Sequence, residues 1–89
     1  MTTDVVKPSP QVICRPLGDG GVLVHLETNQ IYELNTTGYR IWELLGAGLD
    51  PAAIREQLHQ EFSVDGDRLD RELTDVLDGL AAAQLIIPG

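Results

Sequence analysis

IYELNTTGYRIWELLGAG (31–48) holds the passage from strand to helix that decides the fold. In IYEL, Tyr32 and Leu34 share one face of an extended chain, and Ile31 and Glu33 share the other. Asn35 or Thr36 can then cap a helix, because their side chains accept hydrogen bonds from the orphan N–H groups of a first turn. Ile41, Leu44 and Leu45 follow at i, i+3, i+4, the stripe of a half-buried helix, and GAG (46–48) ends it. Trp42, the single tryptophan, and Tyr39 lie at core and core-edge positions of that helix.

Upstream, two more extended runs are expected, PQVICR (10–15) and GVLVHLE (21–27), with GDGG (18–21) as the turn between them. The second run alternates, with Val22, Val24 and Leu26 read as the core face and Leu23, His25 and Glu27 as the wet face. For that core face to meet Tyr32 and Leu34, the intervening loop needs an odd number of residues. A three-residue loop, Thr28-Asn29-Gln30, pairs Leu26 with Tyr32, Val24 with Leu34 and His25 with Glu33, with Asn29 or Gln30 left-handed.

Downstream, Asp50 caps a second helix with Pro51 at its first position, and Ile54, Leu58 and Phe62 mark its apolar face. A third helix is expected over about 67–83, capped by Asp65 or Asp67, with Leu69, Leu73, Val76, Leu77 and Leu80 as its stripe. LIIPG (85–89) closes the chain as an extended apolar tail, and residues 1–9 read as a flexible lead. Residues 10–89 therefore form one α+β domain: a three-stranded antiparallel sheet followed by three helices, in a winged helix-turn-helix arrangement.

Composition narrows the function. A chain of 89 residues with 43% hydrophobic content fits one modest core. The lone Cys14 excludes an internal disulfide and a cysteine-cluster metal site, and points to a reducing cytoplasm. No apolar run is long enough to span a membrane, and the N-terminus lacks the apolar stretch of a signal peptide. A net charge of −8 opposes nucleic-acid binding, and the third helix would set Asp67, Asp70, Glu72, Asp75 and Asp78 against phosphates with only Arg68 and Arg71 to offset them. Four aromatic residues are too few for a base-stacking surface.

Chemistry is equally sparse. His25 and His59 form no metal-ligand spacing, GDGG is followed by no phosphate-binding lysine, and DGDRLDRE (65–72) lacks the ligand order of a calcium loop. Cys14 in a strand centre reads as an apolar filler. The expectation is a protein without catalysis, cofactor or metal. What remains is the exposed edge of IYEL, short and apolar, which can accept an added peptide strand.

The order IYELNTTGYRIWELLGAG, PAAIREQLHQEF and DRLDRELTDVLDGLAAAQLI resembles the PqqD-like family, small elements that bind leader peptides of ribosomally made, post-translationally modified peptides. The likeness covers roughly residues 20–87 and is strongest in LNTTG..IW.LL and at Asp75, Val76, Leu80, Leu85 and Ile86. It implies a leader peptide added antiparallel to the 31–34 strand, with side chains docked between that strand and the third helix. The strand residues are Ile31, Tyr32, Glu33 and Leu34. On the helix, one shoulder of the apolar stripe carries Arg68, Glu72, Asp75 and Gly79, the other Asp70, Thr74 and Ala81. The first is chosen because it includes Asp75-Val76 and a glycine that lets backbone approach, which gives Arg68, Leu69, Glu72, Leu73, Asp75 and Val76 as helix contacts.

TNQIYELN (28–35) departs from the Pro-Glu segment usual in coenzyme-PQQ members and is more similar to the stand-alone leader-binding proteins of lasso peptide clusters. That resemblance implies a Tyr-x-x-Pro type leader, a separate leader peptidase and a lasso cyclase as partners. The alternatives are a PQQ-type precursor chaperone, a small acidic winged-helix interaction module and a DNA-binding regulator.

Overall fold

The corner at 34–38 forms as its residue types dictate. In the structure, a computed structural model that describes residues 6–63 and 65–88, Asn35 Oδ1 accepts from Gly38 N at 2.8 Å. This cap separates a strand at Ile31–Leu34 from a helix at Thr36–Gly46. Around it the described chain runs β1 (Val6–Pro8), β2 (Val12–Leu17), β3 (Gly20–His25), β4 (Ile31–Leu34), α1 (Thr36–Gly46), α2 (Pro51–Glu61), α3 (Gly66–Ala82) and β5 (Ile86–Pro88). The antiparallel sheet β2-β3-β4 precedes the three helices, as expected.

The lead is shorter than expected. Val6–Pro8 pairs antiparallel with the C-terminal Ile86–Pro88 in a separate two-stranded ribbon. The apolar tail thus binds the beginning of the chain, and only residues 1–5 of the expected lead lie outside the described residues.

The β3–β4 register differs from the expected one, and the difference inverts β3. Val24 pairs with Ile31, Leu23 with Tyr32, Val22 with Glu33 and Gly21 with Leu34. The loop therefore has four residues, 26–29, closed by His25 N–H to Gln30 O at 3.0 Å, with Asn29 left-handed at φ 62°. Leu23 and His25 face the core, and Leu26, expected inside, is exposed. Two interactions make this face the better one. His25 Nδ1 accepts from the turn amides of Glu27 (3.1 Å) and Thr28 (3.3 Å), so its buried ring is not an unpaired polar group. Gly21 leaves room for the Tyr39 ring, since a Cβ there would lie 2.7 Å from Tyr39 Cδ1.

The core sits between this sheet face and the helices. It gathers Leu23 and Leu34 with Ile41, Trp42, Leu44, Leu45, Ile54, Leu58, Leu69, Leu73, Leu80, Leu85 and Ile86. Asp50 Oδ1 caps α2 through Ala53 N at 2.8 Å, with Pro51 at the first position. Asp65 precedes α3 without a side-chain cap bond. Both α1 and α3 end in the same reverse turn. Gly48 N donates to Leu45 O and Leu49 N to Leu44 O after α1, and Gln84 N donates to Ala81 O and Leu85 N to Leu80 O after α3. The left-handed residue is glycine after α1 but Gln84, at φ 60°, after α3. A left-handed non-glycine residue costs about 1–2 kcal/mol. Gln84→Gly is therefore expected to raise stability by about 1 kcal/mol in urea unfolding; an unchanged or lower midpoint would contradict this account.

Surface ion pairs join the helices. Arg40 grips Glu61 from α1 to α2 at 2.8 and 2.6 Å, and Arg55 meets Asp70 from α2 to α3 at 2.7 Å. Hydrogen bonds from Arg40 and then Gln57 hold the Glu61 carboxyl down to about 2, from its ordinary 4.5. The depressed carboxylate contributes stability above pH 4.5 that is lost as pH falls toward 2. Both side chains are partly exposed, so the contribution is no more than about 1 kcal/mol. The melting-temperature difference between wild type and Arg40→Gln should be present at neutral pH and close between pH 4.5 and 2.

Candidate functional site

β4 is the end strand of its sheet, paired with β3 on one side. Antiparallel pairing alternates the direction of backbone groups. Because His25 bonds to Gln30, the sequence of pairs turns the N–H and C=O of Tyr32 and Leu34 toward β3. Those of Ile31 and Glu33 point out along the free edge. Four backbone groups are thus available to an added strand.

The other end strand is blunted. By the same alternation Val12, Cys14 and Pro16 of β2 point their backbones outward, and Pro16 has no N–H to give. Strand addition is favoured on the β4 side.

A cavity of about 430 Å³ lies beside the β4 edge, lined by Tyr32, Glu33, Leu34, Asn35, Gly38 and Val76. Leu34 and Gly38 are buried at its base, and Val76 is its α3 wall. Gly79 makes room on α3 for a side chain of β4. A Cβ at residue 79 would collide with Tyr32 Oη and lie 3.2 Å from ring carbons Cε2 and Cζ, so the Tyr32 ring rests on the helix backbone there. The glycine read as room for a peptide is occupied by the chain's own tyrosine.

The two shoulders of α3 face different neighbours. Asp70 accepts from Arg55 (2.7 Å) and lies 3.2 Å from His59 Nε2, both on α2. Those contacts, Arg55 first, hold its carboxyl below the usual carboxylate range. Asp70 and Thr74 also line a second cavity of about 370 Å³ with Pro51, Ala52, Arg55, Leu73 and Leu77. Gly79 and Val76 meet β4 instead, on the side of the chosen shoulder.

The expected contacts separate accordingly. Tyr32, Glu33, Leu34 and Val76 converge on the first cavity, and Ile31 brings its edge backbone and an exposed side chain. Leu69 and Leu73 are buried in the core, so their side chains offer little surface to a strand laid on β4. Arg68 and Asp75 are exposed and Glu72 half-buried, and none of the three lines the cavity. Asn35, expected only as a helix cap, and Gly38, not among the expected contacts, also line it. Gly38 carried a signal: a glycine in a helical first turn costs helix stability and calls for a packing reason. A Cβ there would lie 3.2 Å from Asn35 Oδ1 and 3.3 Å from Leu34 Cδ2.

Catalytic groups do not gather here. Glu33 is the one ionisable acid lining the cavity. Burial, and then Glu43, push the Cys14 thiol up, which keeps it protonated and a poor nucleophile. Among the described residues no three His, Cys, Asp or Glu side chains converge as a metal site would need, and no helix is long and apolar enough to cross a membrane.

Residues 20–86 match the family model of coenzyme PQQ synthesis protein D, PqqD. The chain belongs to the PqqD family. Among solved structures, TbiB1 in complex with the TbiA(beta) leader peptide is 38% identical, with a TM-score of 0.80 over 90% of this chain and 93% of that one. A lasso peptide synthetase B1 complexed with the leader peptide superposes equally well, at TM-score 0.80 over 94% of this chain and 99% of that one. At 21% identity that second likeness shows the fold alone. No curated protein matches. In this PqqD-family chain the Tyr32 ring occupies the space that a side chain at residue 79 would fill. Gly79→Ala should displace the Tyr32 ring and cost about 1–3 kcal/mol. Chemical unfolding together with the tyrosine ring NMR signals would read it; unchanged ring shifts would exclude the contact.

Proposed function

We propose that this protein binds the leader region of a ribosomal precursor peptide, of the lasso class, by strand addition to β4. The observation that carries the reading is the coincidence of an open β4 edge with the adjoining cavity, in a fold shared with a 38% identical leader-peptide complex. Backbone pairing at Ile31 and Glu33 supplies up to four hydrogen bonds with little demand on sequence, each worth about 0.5–1.5 kcal/mol net. Selectivity then comes from side chains that enter the cavity against Tyr32, Leu34 and Val76. An aromatic and a proline, as in a Tyr-x-x-Pro leader, can pack on these three side chains, while Glu33 and Asn35 make the rest of the lining polar. Arg68, Glu72 and Asp75 flank the helix and act by steering charged leader residues rather than by lining the cavity.

The protein has no catalytic step in this reading. Strand addition fixes the register of a leader that is disordered when free. The cleavage site is then held at a set distance for a separate leader peptidase, and the core peptide passes to a lasso cyclase. The setting is the cytoplasm. The acidic face of α3, with Asp67, Asp70, Asp75 and Asp78, disfavours a DNA-binding alternative.

Titration of a fluorescent leader peptide tests this. Val76→Asp, at a half-buried position, should leave the circular dichroism unchanged and weaken leader binding at least about tenfold, equivalent to about 1.4 kcal/mol. Glu33→Pro removes one edge N–H and should weaken it comparably. Wild-type affinity in both folded variants would refute strand addition at β4. Binding should weaken only modestly with salt, through the steering charges, whereas phosphate contacts would lose about 10³-fold or more between 50 and 200 mM. A PQQ-type precursor as the tighter ligand would reassign the pathway and leave the site intact.

A further inference from the structure

The face of the β2-β3-β4 sheet turned away from the helices is apolar and has no partner within the described chain. Among the described residues, the large apolar side chains left exposed are Ile13, Leu17, Leu26 and Ile31, all on this side of the sheet or in its turn. Register orders the face into two rows across the strands. One is Ile13–Val24–Ile31 and the other Arg15–Val22–Glu33. The face carries one cation and one anion at opposite ends of a row, while ten of the fourteen acidic residues lie between Glu43 and Asp78 on the helical side. Arg15 and Glu33 are two strand spacings apart, about 10 Å, and neither takes part in an ion pair among the described residues.

This pattern is self-complementary. A two-fold axis parallel to the strands and above β3 lays β2 of one copy over β4 of the other and keeps each row in place. Ile13 then covers Ile31 of the second copy, Val22 and Val24 meet their own counterparts, and both Arg15 side chains lie over Glu33 side chains. We propose that this sheet face is a self-association surface on which two copies stack about that axis, held by Arg15–Glu33 pairs at both ends of an apolar centre.

The operation is closed, so it makes a dimer and no larger assembly. Aligned sheets pack about 10 Å apart, which places the acidic helices of the two copies on far sides, beyond the screening length of about 8 Å at physiological salt. Three strands of four to six residues make a small interface, which sets the dimer among weak, reversible ones. The α3 side of β4 stays open in the stacked pair; Glu33 belongs to both surfaces, but Arg15 lies outside the cavity, so Arg15→Glu should weaken self-association and leave leader binding unchanged.

Sedimentation velocity of the full chain without leader, from micromolar to millimolar concentration, is the test. A monomer–dimer equilibrium is expected. Arg15→Glu or Glu33→Arg alone sets like charges opposite each other and should weaken the dimer at least about tenfold. The double variant R15E/E33R restores the pairing and should recover wild-type association. A protein that remains monomeric throughout would overturn the proposal and leave the face to a different protein. So would a dimer that either single reversal leaves intact, or one that the double reversal does not recover.

Discussion

Tyr32 lies against α3 where residue 79 has no side chain, and this contact joins the edge strand to the helix across from it. A Cβ at 79 would collide with the tip of the Tyr32 side chain and displace that ring, which lines the cavity together with Val76. A strand edge and a helix face line one cavity only where such a contact brings them together. The backbone hydrogen bonds fix where a guest strand runs, and the strand-to-helix distance fixes which side chains it can insert.

The second constraint is the corner after β4. Asn35 ends the strand and caps α1 through Gly38, and Gly38 lets the helix start close to Leu34. The edge therefore stops at a fixed residue rather than fraying. One side chain and one missing side chain thus set the end of the free edge and the base of the cavity at once. On the opposite edge Pro16 withholds a donor, so the sheet has one good edge and one poor one. That asymmetry lets a short, half-apolar sheet keep a single open edge without pairing along both sides.

Much of this was legible in sequence because it rests on local chemistry. The caps Asn35 and Asp50, Pro51 at a helix start, the stripes of the helices and the IYEL strand each follow from residue types at fixed spacing. The preference for one shoulder of α3 follows from its glycine, although the occupant of that glycine was the chain's own Tyr32. The faces of β3 were not legible. Alternation in GVLVHLE gives two faces, and hydropathy favours Val22, Val24 and Leu26 as the buried one. The choice is reversed by contacts outside the strand: His25 Nδ1 on two turn amides and the Tyr39 ring over Gly21. The pairing of Val6–Pro8 with Ile86–Pro88 was hidden for a related reason, since its partners lie at opposite ends of the chain.

The inversion of β3 has a further consequence for the surface. With Leu23 and His25 inside, Val22 and Val24 turn outward and join Ile13 and Ile31 in an apolar row. Burial of a histidine thus leaves two valines on the solvent side of a sheet that is otherwise small. Hydrophobic burial alone would select the opposite face, at about 25 cal/mol per Å² of apolar surface removed from water. The observed face wins because the turn gains a rigid acceptor for two amides and the core gains a complete Tyr39 contact. A sheet built this way keeps an ordered turn beside β4, and its outward face remains apolar and nearly neutral in a chain whose net charge is −8.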